Sequence, residues 1–219
     1  MENKAKKPLE LYIHVPFCVK KCDYCDFLSG PAGKERQAEY FQALQREVAS
    51  VPDFPDREIT TVFIGGGTPS VPDPALIGAV LDQIRNKVFM APDAEITIEA
   101  NPGTLYKEKL EDYLEHGVNR LSLGLQSPQN RELKILGRIH TWEEFLESFS
   151  LAREAGFSNI NIDLMSAIPD QTYEGWEKNL RTVAALGPEH ISAYSLIVEE
   201  GTPFWERDLK LPDEDTEYR

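Results

Sequence analysis

The apolar residues follow two rhythms that take turns along the chain. Short runs rich in Ile, Val, Leu, Tyr and Phe, bounded by Gly, Pro, Asn or Asp, occur at 11–15, 60–64, 95–99, 120–123, 159–164 and 189–196. Their length and composition predict strands. Between them the apolar positions recur at three-to-four spacing, the mark of a helix with one buried face. Tyr40, Phe41, Leu44, Val48 and Val51 form one such stripe, and Leu76, Ile77, Val80, Leu81 and Ile84 form a second. Asp73 followed by Pro74 predicts the N-cap and first turn of that second helix. A third helix is expected over 106–116 with Gly117 closing it. A fourth opens on Thr141 and Glu144, spaced as a capping box, and a fifth covers 173–186 before Gly187-Pro188.

Six strands alternating with five helices predict right-handed βαβ units, a parallel sheet and an α/β fold. An incomplete β/α barrel and an open doubly wound sheet share this order of elements, and periodicity does not separate them. Both gather function at the C-terminal ends of the strands. The expected organisation is a flexible N-terminus over 1–9, a core over 10–203, and at 204–219 the start of a truncated C-terminal region.

Charge narrows the function classes. Of 219 residues, 23 are basic and 37 acidic, a formal charge of −14. So acidic a surface repels phosphate backbones and anionic lipid, which argues against nucleic acid and membrane partners. No apolar run approaches a membrane span, and the N-terminal MENKAKKPLELYIHV lacks the apolar segment of a secretory signal. The cytoplasm is the expected compartment.

The three cysteines, Cys18, Cys22 and Cys25, lie in the first βα loop, in a C-x3-C-x2-C run that continues to Asp26 and Phe27. An odd number crowded together without a signal peptide argues for metal over disulfides. Three thiolates can hold three irons of a cubane cluster and leave the fourth open, whereas electron-transfer ferredoxins supply four cysteines. Zinc held by the three cysteines and His14 is the competing reading, though paired C-x2-C knuckles are more usual there.

Further along, the chain carries Gly65-Gly66-Gly67-Thr68-Pro69-Ser70, then Glu99-Ala100-Asn101-Pro102, Asn119 to Gln126, Leu136-Gly137-Arg138, Asn161-Ile162-Asp163 and His190 to Tyr194. With Tyr12 to Cys18 and the cysteine run, this series resembles the radical S-adenosylmethionine superfamily, and within it the oxygen-independent coproporphyrinogen-III oxidase family with its heme chaperones. The resemblance covers the chain from Leu11 to Pro203. It implies an incomplete (β/α)6 barrel holding a [4Fe–4S] cluster on Cys18, Cys22 and Cys25. It further implies that S-adenosylmethionine is bound by Tyr12, Tyr24, Gly66, Gly67, Thr68, Glu99, Gln126, Arg138, Asp163 and Ile197, and is cleaved reductively to a 5′-deoxyadenosyl radical. An electron donor of flavodoxin or ferredoxin type is implied as well.

Besides the truncated C-terminal region, two departures from the family pattern stand out. Oxidases of this family carry a further cysteine where this chain has Phe27, which is the heme-chaperone pattern. The resemblance therefore implies a protein that binds and transfers heme, with coproporphyrinogen-III oxidation as the alternative, and assigns no catalytic side chain. The family's Tyr-Gly and Pro-Gly-Gln-Thr after the fifth strand are here Ser166-Ala167 and Pro169-Asp170-Gln171-Thr172.

Overall fold

A computed structural model describes residues 6–217. Six strands, β1 (Lys7–Val15), β2 (Arg57–Gly66), β3 (Met90–Ala100), β4 (Arg120–Gln126), β5 (Ile160–Ser166) and β6 (His190–Ser195), pair in parallel in their sequence order. This order decides between the two architectures. A doubly wound sheet reverses its strand order at a switch point. Here the order never reverses, so every right-handed crossover lands on the same side. The helices α1 (Lys34–Ser50), α2 (Pro74–Lys87), α3 (Lys107–Glu115), α5 (Trp142–Ala155) and α6 (Tyr173–Ala184) follow these crossovers, and β1 and β6 remain unjoined edges. The result is the incomplete barrel.

Strand alternation assigns the two faces. Ile13 and Val15, Val62 and Ile64, Ile96 and Ile98, Leu121 and Leu123, Ile160, Ile162 and Leu164 are all buried in one continuous core beneath the helices. Their neighbours in the chain, Tyr12 and His14, Thr97 and Glu99, Ser122 and Gly124, Asn161 and Asp163, share the opposite, concave face.

Helix ends follow their signals. Asp73 caps α2 by accepting from the Ala75 amide at 3.1 Å, and Thr141 with Glu144 closes a capping box on α5. Several boundaries differ from expectation. Val51 lies just past α1 in extended backbone instead of on its buried stripe. Strand β1 begins at Lys7, inside the stretch expected to be flexible, because it pairs with Arg57 to Ile59 of β2; residues 1–5 lie outside the described residues. An additional short helix, α4 (Asn130–Ile135), precedes α5, and α7 (Glu214–Glu217) lies in the tail. Both are too short to show a helical period. Beyond residue 203, Phe204 is buried with Leu136, Met165, Ile168 and Leu196 in a second small core.

Candidate functional site

The C-terminal ends of the strands surround a cavity of about 350 Å3. The loop after β1 brings all three cysteines to its wall. Backbone pairing closes the base of that loop: the Cys18 amide donates to the Gly30 carbonyl at 3.0 Å, and the Gly30 amide donates to Pro16 at the same distance. The amides of Gly67 and Thr68 donate to Val15 and Phe17 at 2.9 and 2.7 Å, which docks the glycine loop against the cysteine loop. The glycines are required by contact. Gly66 has φ +118, and a side chain on it would strike the His14 ring; one on Gly67 would lie 2.9 Å from Cys18 Sγ.

The three thiols are free and half-buried. Each sulfur has a donor. Thr68 Oγ1 donates to Cys18 at 3.6 Å, Arg138 Nη1 donates to Cys22 at 3.5 Å, and the Phe27 backbone amide serves Cys25. Burial pushes the Cys25 thiol above its ordinary range, and the neighbouring Cys22 adds to the effect. Donors aimed at sulfur, a guanidinium beside it and a roomy, open wall suit a thiolate-bound, electron-rich metal cluster. His14 is differently engaged: its ring nitrogens face the Tyr12 hydroxyl at 3.1 Å and the Leu28 carbonyl at 3.2 Å, so it braces the cysteine loop.

Glu99 stands at the end of β3. Its Oε2 accepts from the Gly66 amide at 3.1 Å, and burial, partly offset by that bond, raises its carboxyl to about 7. Across the next two strands Asp163 accepts from Asn161 at 2.8 Å and Ser122 at 3.2 Å, and burial raises it too. Gln126 ends β4 in the left-handed region at φ 74, where the register between β4 and β5 slips, and its Oε1 accepts from the Tyr194 hydroxyl at 2.6 Å. Alternation with Ser122 and Gly124 puts its side chain on the cavity face, and the irregularity ends the strand there. Arg138 Nη2 donates to Asn101 Oδ1 at 2.7 Å and to the Gly124 carbonyl at 2.5 Å.

Of the residues implied by resemblance, Cys18, Cys22, Cys25, Tyr24, Gly66, Gly67, Thr68, Glu99, Gln126, Arg138, Asp163 and Ile197 all line this cavity. Tyr12 does not. It lies two residues before His14, is 59% exposed, and stacks on Phe63 with ring centroids 6.3 Å apart. The cavity also takes Asn101, Ser122, Met165 and Tyr194, which sequence reading left without a role. For Ser122 and Met165 the signal was present: Ser122 alternates with Gly124 and Gln126, and Met165 with Asp163, along one face of a strand.

A further residue works from behind. Lys109 of α3 is buried, and its Nζ donates to the carbonyls of Ser70 at 2.6 Å and Pro72 at 3.3 Å. It thereby fixes the far end of the glycine loop.

Comparison with known proteins gives concordant results. The chain is 44% identical over 210 residues to heme chaperone HemW of Escherichia coli, a match covering 95% of this chain and 56% of that protein. It is 40% identical over 196 residues to heme chaperone HemW of Bacillus subtilis, covering 89% of this chain and 52% of the relative. The chain thus spans about half the length of these relatives. Among solved structures, coproporphyrinogen III oxidase (HemN) from Escherichia coli, described as a radical SAM enzyme, superposes with a TM-score of 0.88 at 29% identity, covering 99% of this chain and 51% of that one. The family model of the radical SAM superfamily matches residues 12–183. With three cysteines, a glycine loop and polar strand ends meeting at one cavity of an incomplete barrel, the chain belongs to the radical SAM superfamily, whose cofactors are a [4Fe–4S] cluster and S-adenosylmethionine.

Proposed function

We propose that the chain is the cofactor-binding core of a heme chaperone, holding a [4Fe–4S] cluster on Cys18, Cys22 and Cys25 with S-adenosylmethionine beside it. The observation that carries the reading is the convergence of three free thiols with Glu99, Gln126, Arg138 and Asp163 on a single cavity. When bound, the cluster supplies an electron for breaking a carbon–sulfur bond of S-adenosylmethionine.

The chain's own residues contribute binding and orientation. The amide-rich turn at Gly66, Gly67 and Thr68 grips the charged methionine end of the cofactor. Glu99, ionised, accepts hydrogen bonds from the two ribose hydroxyls. Gln126 and Asp163 supply polar contacts deeper in the cavity. Tyr24 supplies an apolar contact within the cavity and Ile197 one at its mouth, and Arg138 supplies positive charge beside the cysteine sulfurs. Holding the ligand at fixed geometry in a site partly shielded from water is where the protein lowers the barrier.

Support for the chaperone branch comes from Phe27, which takes the place of an oxidase cysteine and stands at the cavity wall, and from the relatives named heme chaperones. Phe27 and Ile197, each 67% exposed, give the mouth an apolar rim suited to a planar macrocycle. The exposed pair Lys20 and Lys21, next to Cys22, suits docking of an acidic one-electron donor of flavodoxin or ferredoxin type. Reduced thiols crowded on one loop favour the cytoplasm. No helix among the described residues is long and apolar enough to cross a membrane.

The test is anaerobic titration of the cluster-loaded chain with heme, alongside an assay of coproporphyrinogen decarboxylation. Saturable heme uptake without decarboxylation is expected. Decarboxylation, or no heme uptake, overturns the chaperone reading.

A further inference from the structure

Asn101 lies between Arg138 and Thr68, and the chemistry of its neighbours fixes the direction of every hydrogen bond it makes. Arginine has no acceptor, so the atom of Asn101 that meets Arg138 Nη2 at 2.7 Å must be Oδ1. The amide nitrogen, Nδ2, is thereby turned to Thr68 Oγ1 at 2.8 Å and donates to it. A hydroxyl that accepts there has its single proton left for another partner. The acceptor within reach is Cys18 Sγ, at 3.6 Å. The same guanidinium donates directly to Cys22 Sγ at 3.5 Å. Arg138 therefore serves two of the three sulfurs, one by contact and one through a relay of two side chains. The frame around the relay is rigid: the Asn101 amide donates to Ser70 Oγ at 3.3 Å, Ser70 Oγ meets Thr104 Oγ1 at 2.6 Å, and Thr68 is itself buried.

We infer that Asn101 is a positioning residue that sets the polarity of this relay, so that the Thr68 hydroxyl donates to the Cys18 thiolate and eases reduction of the cluster. Hydrogen bonds to ligating sulfur stabilise the more negative, reduced state and raise the potential. The inference rests on the assignment of Cys18, Cys22 and Cys25 as cluster ligands. It gives Asn101 a task that needs an acceptor and a donor on one short side chain, since it accepts from arginine on one side and donates to a hydroxyl on the other.

The test is an EPR-monitored redox titration of the reconstituted chain without S-adenosylmethionine. Thr68→Val removes the donor at nearly constant shape and should make reduction roughly tenfold less favourable, ~59 mV for one electron. Thr68→Ser should restore the parent potential. Asn101→Asp keeps the acceptor for Arg138 but offers only acceptors to Thr68, so the hydroxyl proton turns away from Cys18 and the potential falls. Added negative charge would lower it as well. The two causes separate in the double variant, where Asn101→Asp should produce a smaller further drop in the Thr68→Val background than in the parent. Thr68→Val at the parent potential, or strictly additive shifts, would overturn the inference. If Asn101→Asp fails to fold, Asn101→Ala takes its place: a potential lowered in the parent but not in the Thr68→Val background supports the inference, and an unmoved potential overturns it. Absence of any cluster after reconstitution overturns both this inference and the cofactor assignment, whereas a cluster with unmoved potentials overturns this inference alone.

Discussion

The two faces of this sheet are built from alternate residues of the same strands, yet they do opposite work. On the outer face Ile98, Leu123 and Ile162 are fully buried and are held only by packing against the helices. One residue away, Glu99, Ser122 and Asp163 line the cavity and are held by directed hydrogen bonds. Packing energy is non-directional, so the outer face tolerates exchange of one apolar residue for another of similar volume. A hydrogen-bonded wall has fixed donors and acceptors, and a single atom replaced there changes what it can bind. Stability should therefore reside on one face and recognition on the other.

The largest effect expected from breaking that division is on the outer face. Ile162→Ala deletes a fully buried side chain and should lower stability by about 2–5 kcal/mol in urea melts, while affinity for S-adenosylmethionine in the folded fraction stays near the parent's. Loss of affinity without loss of stability would show that the two faces are not separable.

Glu99→Gln is the converse. It should weaken S-adenosylmethionine binding by roughly ten- to a hundredfold by calorimetry, the value of a charge-assisted bond pair. Its effect on stability depends on pH. The Glu99 carboxyl sits at about 7 in the fold against an ordinary 4.5, so the folded state holds the proton more firmly than the unfolded chain. The parent is thus favoured below pH 4.5 and loses stability as pH rises from there through 7, by at most about 3 kcal/mol. Melts of the ligand-free chain at pH 5 and 8 should show that decline reduced in Glu99→Gln. Parallel pH profiles for the two proteins would contradict the buried state of this carboxylate.

The smallest expected effect concerns two residues that stand where the family carries glycine. Ala167 and Asp170 both have left-handed backbone, at φ 56 and 62. The loop thus keeps the conformation glycine would favour and bears the strain of a side chain in it. The Asp170 amide donates to the Lys210 carbonyl at 2.9 Å, and its carboxylate meets Arg131 at 3.2 Å, contacts that hold it there. Ala167→Gly should stabilise by roughly 0.5–1 kcal/mol, and Asp170→Gly by less, because it forfeits the exposed ion pair. A destabilised Ala167→Gly would show that the left-handed turn is not strained.

The same division explains what could be read from the sequence. The outer face announced the strands, because runs such as Ile96 and Ile98 or Ile160, Ile162 and Leu164 are apolar at every second place. The cysteine run and the glycine loop are contiguous in the chain, so the core of the site was legible as well. What was not legible depends on assembly. Strand order, which separates the incomplete barrel from a doubly wound sheet, is a property of six strands together, so periodicity left it open and only the family resemblance pointed to the barrel. Asn101 and Tyr194 acquire their roles only through partners distant in the chain, Arg138 in the loop after α4 and Gln126 at the end of β4. Lys109, set among Lys107, Glu108 and Glu111, reads as a solvated charge until the fold brings the Ser70 carbonyl to it.

The most direct test of the account is the EPR spectrum of the anaerobically reconstituted, reduced chain with and without S-adenosylmethionine, compared with the Cys18/Cys22/Cys25→Ala triple variant. The account predicts a cluster signal that changes on adding the cofactor and is lost in the triple variant. A signal indifferent to S-adenosylmethionine, or metal content unchanged without the three cysteines, would contradict it.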